Sequence, residues 1–271
     1  MVGRAVRELC EQSGDTIFAY DRGALDIADI EAVRRAVSST KPDALINCAA
    51  WTDVDGCETD VERAFAANAR GPENLAIATR DVNATFVTIS TDYVFDGTKE
   101  GFYTQEDVPN PQSVYGRAKL EGEQRSLEAN KASIVVRSGF IFGRGGKNFL
   151  SAVIERARRG EQIKAITDSY GTPTYGRDLA RRLRELAQMG HAGTFHVANA
   201  GEGASYAEFA REAFRCANLG ERRIEEVLTE SLSRPAPRPQ NSRLRCLYSP
   251  SLGLAPLPDW RDSLEQFARE T

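Results

Sequence analysis

The sequence predicts an α/β fold built on a doubly wound parallel sheet, with a small C-terminal lobe. Short apolar runs at 43–48, 85–89 and 133–137 alternate with helix-forming stretches, as parallel strands joined by crossover helices require. The 271-residue length suits one large α/β domain or a sheet domain with a lobe. After residue 145 the alternation gives way to shorter elements. Residues 1–145 are therefore expected to form the sheet domain, and 146–271 mainly the lobe, with some elements returning to the sheet.

The chain opens as a helix, with Val2, Val6, Leu9 and Cys10 on one side. In a doubly wound fold an apolar strand and a Gly-x-x-Gly-x-x-Gly turn should come first, because the free N–H groups of the first helix hold a dinucleotide pyrophosphate. Of that turn only Gly3, preceded by Val2, is matched. Either Met1 is an internal residue of a longer protein or the cofactor site is impaired. The first reading is preferred, and a gap within the sheet is expected.

Thr16–Tyr20 reads as the second strand, followed by Asp21 and Arg22. An arginine there accommodates the extra phosphate of NADP, although a solvated loop arginine has the same appearance. Asp26 and Ile27 precede a helix over 29–38. Asp43–Cys48 is a strand with small residues at its carboxyl end, where a backbone can approach a dinucleotide. Glu58–Arg80 reads as one long helix carrying Asn68, a polar group facing the sheet and needing partners.

The stretch from Ser90 to Lys119 carries the chemistry. Thr85–Ile89 is a buried strand, so Ser90 and Thr91 fall at its carboxyl end, where α/β sheets keep their sites. Ser113 starts a helix after Pro109 and Pro111. On it Tyr115 and Lys119 share a face at i and i+4. The Lys119 ammonium is expected to lower the Tyr115 pKa, so that the phenol serves as a proton donor. Thr91 would orient a carbonyl oxygen. Ser133–Arg137 is the next strand, followed by helix 148–159, strand 162–166, a loop over 168–174, helix 177–189, a short strand at 194–197, helix 206–219, and an amphipathic closing helix over 260–270.

Composition narrows the field. With 35 basic and 39 acidic side chains, net charge −4 and pI near 5.5, nucleic acid is not an expected partner. No apolar run approaches membrane-spanning length and no signal-peptide core is present, so no membrane partner and a cytoplasmic location are expected. Cys10, Cys48, Cys57, Cys216 and Cys246 lack metal-ligand spacing and read as reduced thiols. The two histidines, His191 and His196, disfavour a histidine metal site or a Ser-His-Asp triad; His196 reads as structural. No metal site is predicted, and Mg²⁺ is left open.

Ser-Thr-Asp-Tyr-Val-Phe-Asp-Gly at 90–97 and Val-Tyr-Gly-Arg-Ala-Lys-Leu-Glu-Gly-Glu at 114–123 resemble the dTDP-4-dehydrorhamnose reductase family of extended short-chain dehydrogenase/reductases. So do Asp-Ser-Tyr-Gly-Thr-Pro-Thr at 168–174 and Arg-Pro-Gln-Asn-Ser-Arg-Leu at 238–244. The resemblance implies a Rossmann-like sheet and NADPH-dependent reduction of the 4-keto group of dTDP-6-deoxy-L-lyxo-4-hexulose to dTDP-L-rhamnose, with NADH an open substitute. It implies catalytic roles for Thr91, Tyr115 and Lys119. Cofactor contacts are implied at Val2, Gly3, Arg22, Asp26, Ile27, Ala50, Trp51, Thr52, Ile89, Tyr115 and Lys119, and nucleotide-sugar contacts at Thr91, Asp92, Phe140, Arg238 and Asn241. Family members commonly carry tryptophan where Phe140 stands. A homodimer is left open. The alternatives are another nucleotide-sugar reductase or epimerase, and a non-catalytic subunit resembling the beta subunit of methionine adenosyltransferase.

Overall fold

The computed structural model describes residues 1–220 and 223–270. In chain order its elements are α1 (Val2–Gln12), α2 (Ile30–Thr40), β1 (Ala44–Asn47), α3 (Val54–Thr59), α4 (Val61–Phe65), a π-turn (Ala66–Arg70), α5 (Gly71–Asp81), β2 (Thr85–Thr91), α6 (Val114–Ala129), β3 (Ser133–Ser138), β4 (Ile141–Phe142) and α7 (Phe149–Arg158). Then follow β5 (Ile163–Ile166), β6 (Tyr170–Gly171), β7 (Thr174–Tyr175), α8 (Gly176–Met189), β8 (Gly193–His196), β9 (Ala204–Ser205), α9 (Tyr206–Cys216), β10 (Ile224–Val227), α10 (Tyr248–Ser251) and α11 (Trp260–Glu270).

The main sheet runs β1-β2-β3-β8, all parallel. Successive side chains of a strand point to opposite faces, and β2 shows both. Phe86 packs with Val33, Val37, Leu75 and Ala76 of α2 and α5. Its neighbour Val87 packs with Leu179, Leu183 and Leu186 of α8, against which Val2 and Val6 of α1 also lie. Helices thus cover both faces, and every residue of β3 is buried. Although α8 and β8 come from the second half of the chain, they complete this sheet layer. A separate core of Phe142, Ile154, Phe209, Phe214, Trp260 and Phe267 joins β4, α7, α9 and α11, and β5 pairs with β10 beside it.

Two expectations need correction. Thr16–Tyr20 carries no regular element, and Phe18 and Tyr20 are exposed. A strand exists only through a partner's ladder, and the sheet ends at β1, with no described strand on its outer side. The expected helix over 58–80 is interrupted. Asp60 leaves the helical region (φ −133°, ψ 76°) and its side chain accepts from Arg63 N–H, restarting the helix; Ala66–Arg70 then widens into a π-turn. Such bulges place a side chain where a regular helix could not, and here the turn carries Asn68.

Candidate active site

Helix α6 is seated by contacts from three segments. Ser113 caps it by accepting from Gly116 N–H at 3.1 Å, and Glu58 of α3 accepts from Val114 N–H at 2.7 Å. Two glycines bring the helix close to its neighbours. A Cβ at Gly116 would lie 2.4 Å from the Tyr93 carbonyl oxygen, and one at Gly122 would lie 2.1 Å from that of Asn68. Lys119, buried, donates from Nζ to the Ile89 carbonyl at 2.6 Å. The helix therefore presents Tyr115 and Lys119 to the carboxyl end of β2, where Thr91 is the last residue.

Tyr115 is buried, with the Thr91 hydroxyl facing its phenol, and meets the Tyr93 ring edge-on at 6.1 Å. The expected influence of Lys119 on its acidity is corrected. Burial, followed by the charges of Asp92 and Cys57, raises the Tyr115 pKa, and the opposing force is the Thr91 hydroxyl. Burial lowers Lys119 to about 8, partly offset by the charge of Glu123 one turn further along α6. The Glu123 carboxylate is itself held by the Arg137 guanidinium at 2.7 Å.

Asp92 is buried beside Thr91. Thr91 Oγ1 donates to Asp92 Oδ1 at 3.0 Å and accepts from Tyr93 N–H at 3.1 Å; Ser242 Oγ donates to Asp92 Oδ2 at 2.5 Å. A Cβ on Gly139 would come within 2.1 Å of this carboxyl group. Burial pushes Asp92 up to about 6 against the hydrogen bonds from Ser242 and Thr91.

On the side expected for the cofactor, Trp51 is clamped through its backbone. Its N–H donates to Asn68 Oδ1 at 2.9 Å and its carbonyl accepts from Asn68 Nδ2 at 3.0 Å, while the Arg63 guanidinium lies 4.2 Å from its ring centroid. Ala50 and Thr52 on either side are exposed, as is Gly3, whose added Cβ would lie 3.4 Å from Cys48. The first turn of α1 has no side-chain cap and no acidic residue, which leaves its N–H groups available to an anion. Arg22 and Asp26 are exposed on the loop before α2; Asp26 Oδ1 accepts from Ala28 N–H, and the helix cap is Asp29. Ile27 covers Gly71 and accepts from Asn74 Nδ2 through its carbonyl. A buried lysine, an uncapped helix start and small exposed residues at the sheet's carboxyl end fit an extended dinucleotide.

On the opposite side Phe140 takes a left-handed conformation (φ 48°), its ring 4.6 Å from that of Tyr206. It lies over Gly171, where a Cβ would be 2.1 Å from the ring. Tyr206, at the start of α9, sets its phenol against that of Tyr93. Arg238 is held by Asp55 through two bonds of 2.9 and 2.7 Å, and its charge acts on both of these phenols. Asn241 is committed to the loop: Nδ2 donates to the carbonyls of Lys99 and Gly101, and Oδ1 accepts from Arg243. His196 is buried with Nδ1 between the carbonyls of Tyr103 and Arg245, and burial lowers it to about 4. Asp55, Tyr206 and Ser242 were not singled out in the sequence. Ser242 lay within a matched motif, and Asp55 in the stretch that follows the strand over 43–48. Among the described residues no group of three or more His, Cys, Asp or Glu is placed to hold a metal, and no helix is long and apolar enough to cross a membrane.

A parallel sheet covered on both faces, with threonine, tyrosine and lysine gathered at its carboxyl edge, defines a short-chain dehydrogenase/reductase. The family model described as RmlD substrate binding domain matches residues 1–271. The chain belongs to this family, that of the dTDP-4-dehydrorhamnose reductases. It is 37% identical to the dTDP-4-dehydrorhamnose reductase of Streptomyces griseus over 98% of this chain and 89% of that protein. The reductase of Mycolicibacterium smegmatis is 39% identical over 98% of this chain and 81% of that protein. A Bacillus anthracis dTDP-4-dehydrorhamnose reductase solved in complex with NADP superposes with a TM-score of 0.95 at 34% identity, covering 100% of this chain and 95% of that one.

Proposed function

We propose that the protein reduces the 4-keto group of dTDP-6-deoxy-L-lyxo-4-hexulose with NADPH, forming dTDP-L-rhamnose. The observation that carries this reading is buried Tyr115 beside the Thr91 hydroxyl, one helical turn from buried Lys119. When bound, the cofactor supplies hydride to the carbonyl carbon. The clamped Trp51 backbone, Ala50, Thr52, Lys119 and Ile89 would hold its nicotinamide half. The α1 N-terminus with Val2 and Gly3 would hold its phosphates, and Arg22, Asp26 and Ile27 its adenosine end.

Tyr115 gives its phenolic proton to the sugar oxygen as negative charge develops there. Lys119, mostly charged at neutral pH and tied to the Ile89 carbonyl, would hold the nicotinamide ribose beside the phenol. Phe140 supplies an apolar wall, and Arg238, kept in place by Asp55, supplies positive charge suited to a diphosphate. The reading thus assigns the cofactor to residues 1–145 and the nucleotide sugar mainly to 146–271, with a cytoplasmic location as its further expectation. A non-catalytic subunit is disfavoured, since the relatives are reductases and Thr91, Tyr115 and Lys119 are all retained.

The test is a thermal-shift titration with NADPH followed by a stopped assay for dTDP-L-rhamnose with the 4-keto sugar. A saturable rise in Tm and stoichiometric NADPH oxidation are expected. Folded protein with neither would overturn the reading.

A further inference from the structure

We infer that Asp92 is a positioning residue for the proposed reduction: through the Thr91 hydroxyl it returns a proton to Tyr115 after Tyr115 has given one to the sugar oxygen. The inference rests on that reading of the site. Its basis is a buried run of polar groups: Ser242 Oγ donates to one Asp92 oxygen, Thr91 Oγ1 donates to the other, and the Thr91 hydroxyl faces the Tyr115 phenol.

A threonine hydroxyl has one proton and two lone pairs. Here that proton is directed to Asp92 Oδ1, while the oxygen already accepts from Tyr93 N–H. With Asp92 ionised, Thr91 is committed to the carboxylate and has no proton for the sugar oxygen or for a Tyr115 phenolate. Protonation of Asp92 reverses the direction: its O–H donates to Thr91 Oγ1, and the Thr91 proton is released toward Tyr115. In the transfer the Asp92 O–H bond breaks as a new Thr91 O–H bond forms, and the original Thr91 proton binds the phenolate. The net change is one proton moved from Asp92 to Tyr115, with no electrons exchanged. Water reprotonates the carboxylate after the product leaves.

The surroundings favour a carboxyl group that changes state. Thr91 and Ser242 donate to it, and the absent side chain of Gly139 leaves it room. The ionisable groups facing it are the phenols of Tyr93 and Tyr115 beside it and of Tyr206 from α9. The guanidinium of Arg238 acts on Tyr93 and Tyr206 in turn, and that of Arg234 on Tyr206. Burial keeps the protonated form accessible near neutral pH, the condition under which the acid can pass on a proton.

The decisive experiment measures kcat and KM against pH for the wild-type chain, Asp92→Asn and Ser242→Ala, with NADPH affinity measured separately by fluorescence. Wild-type kcat should fall with rising pH along a one-proton limb lying below the one that loss of the Lys119 charge produces. Ser242→Ala should shift that limb upward, because the carboxylate loses a donor. Asp92→Asn should abolish the limb and lower kcat by about tenfold or more, with NADPH affinity nearly unchanged. Difference infrared spectra of wild type against Asp92→Asn, recorded without cofactor, should show a carboxylic-acid band that disappears over the same pH range. If Asp92→Asn does not fold, the Ser242→Ala shift decides. An Asp92→Asn profile that keeps the limb, or a Ser242→Ala profile that does not move, overturns the relay while leaving the reductase reading intact. A wild-type chain that never oxidises NADPH overturns both.

Discussion

Replacing Asn68 by alanine should destabilise the protein and loosen the Trp51 turn together. Asn68 is 1% exposed, and its amide makes both hydrogen bonds to the Trp51 backbone, at 2.9 and 3.0 Å. A buried group left unsatisfied costs about 1–3 kcal/mol, but Trp51 is half-exposed and water can meet part of the need. The expected loss for the two groups is therefore about 2–3 kcal/mol, which for a chain of this size lowers Tm by about 4–6 °C. NADPH affinity should fall in parallel. Asn68→Asp sharpens the test. At neutral pH it places a carboxylate against the Trp51 carbonyl; once protonated it can donate there again. Its pKa should be raised in the folded state, so the contribution is present at low pH and is lost as pH rises through that value. Urea unfolding at several pH values and NADPH titration report both effects. A Tm within about 2 °C of wild type, with unchanged NADPH affinity, would refute the reasoning.

Other outcomes follow from the same geometry. Tyr115→Phe should reduce kcat by about 10²–10⁴-fold with NADPH affinity nearly unchanged; retained turnover would remove Tyr115 from the acid role. Gly122→Ala, whose Cβ would lie 2.1 Å from the Asn68 carbonyl oxygen, should destabilise by at least about 1–3 kcal/mol in urea titrations; a neutral result would mean that α6 can shift freely. Glu123→Ala should cost about 3–5 kcal/mol by leaving Arg137 buried and unpaired, whereas Glu123→Leu with Arg137→Met should be much milder; equal losses would contradict the pairing argument. His196 is held neutral, with its pKa lowered to about 4 from an unfolded value near 6.5. Its contribution to stability is thus complete above about 6.5 and lost as pH falls toward 4. Urea midpoints across that window should fall less steeply in His196→Gln, and identical slopes would exclude the histidine as the cause.

Much of this arrangement was legible from residues alone. Ser113, Tyr115 and Lys119 share one short segment, so helical spacing and a cap placed them without tertiary information. The strand expected over 85–89 was equally local, and β2 runs two residues further, to Thr91. What escaped depended on partners distant in the chain. Thr16–Tyr20 has a strand's composition but no adjacent ladder, and composition cannot supply one. The break at Asp60 follows from a capping bond that helix propensity alone does not reveal. Helical spacing correctly brought Lys119 to the face of Tyr115, but the acidity expected from that proximity was outweighed by burial, which depends on the whole fold. Asp55 and Ser242 matter only because residues far away in sequence, Arg238 and Asp92, come to meet them.

The contact between Phe140 and Gly171 has a consequence for how this pocket can be varied. The ring occupies the space that any side chain at 171 would need, and Phe140 holds a backbone conformation uncommon for a bulky residue. Enlarging 171 alone should be disruptive, and shrinking 140 alone should open a void against Tyr206. Made together, the two changes can offset one another, so each substitution is harmful on one background and tolerated on the other. A search for new sugar preference that proceeds one mutation at a time would stall at this pair, whereas a library varying both codons at once would cross the barrier.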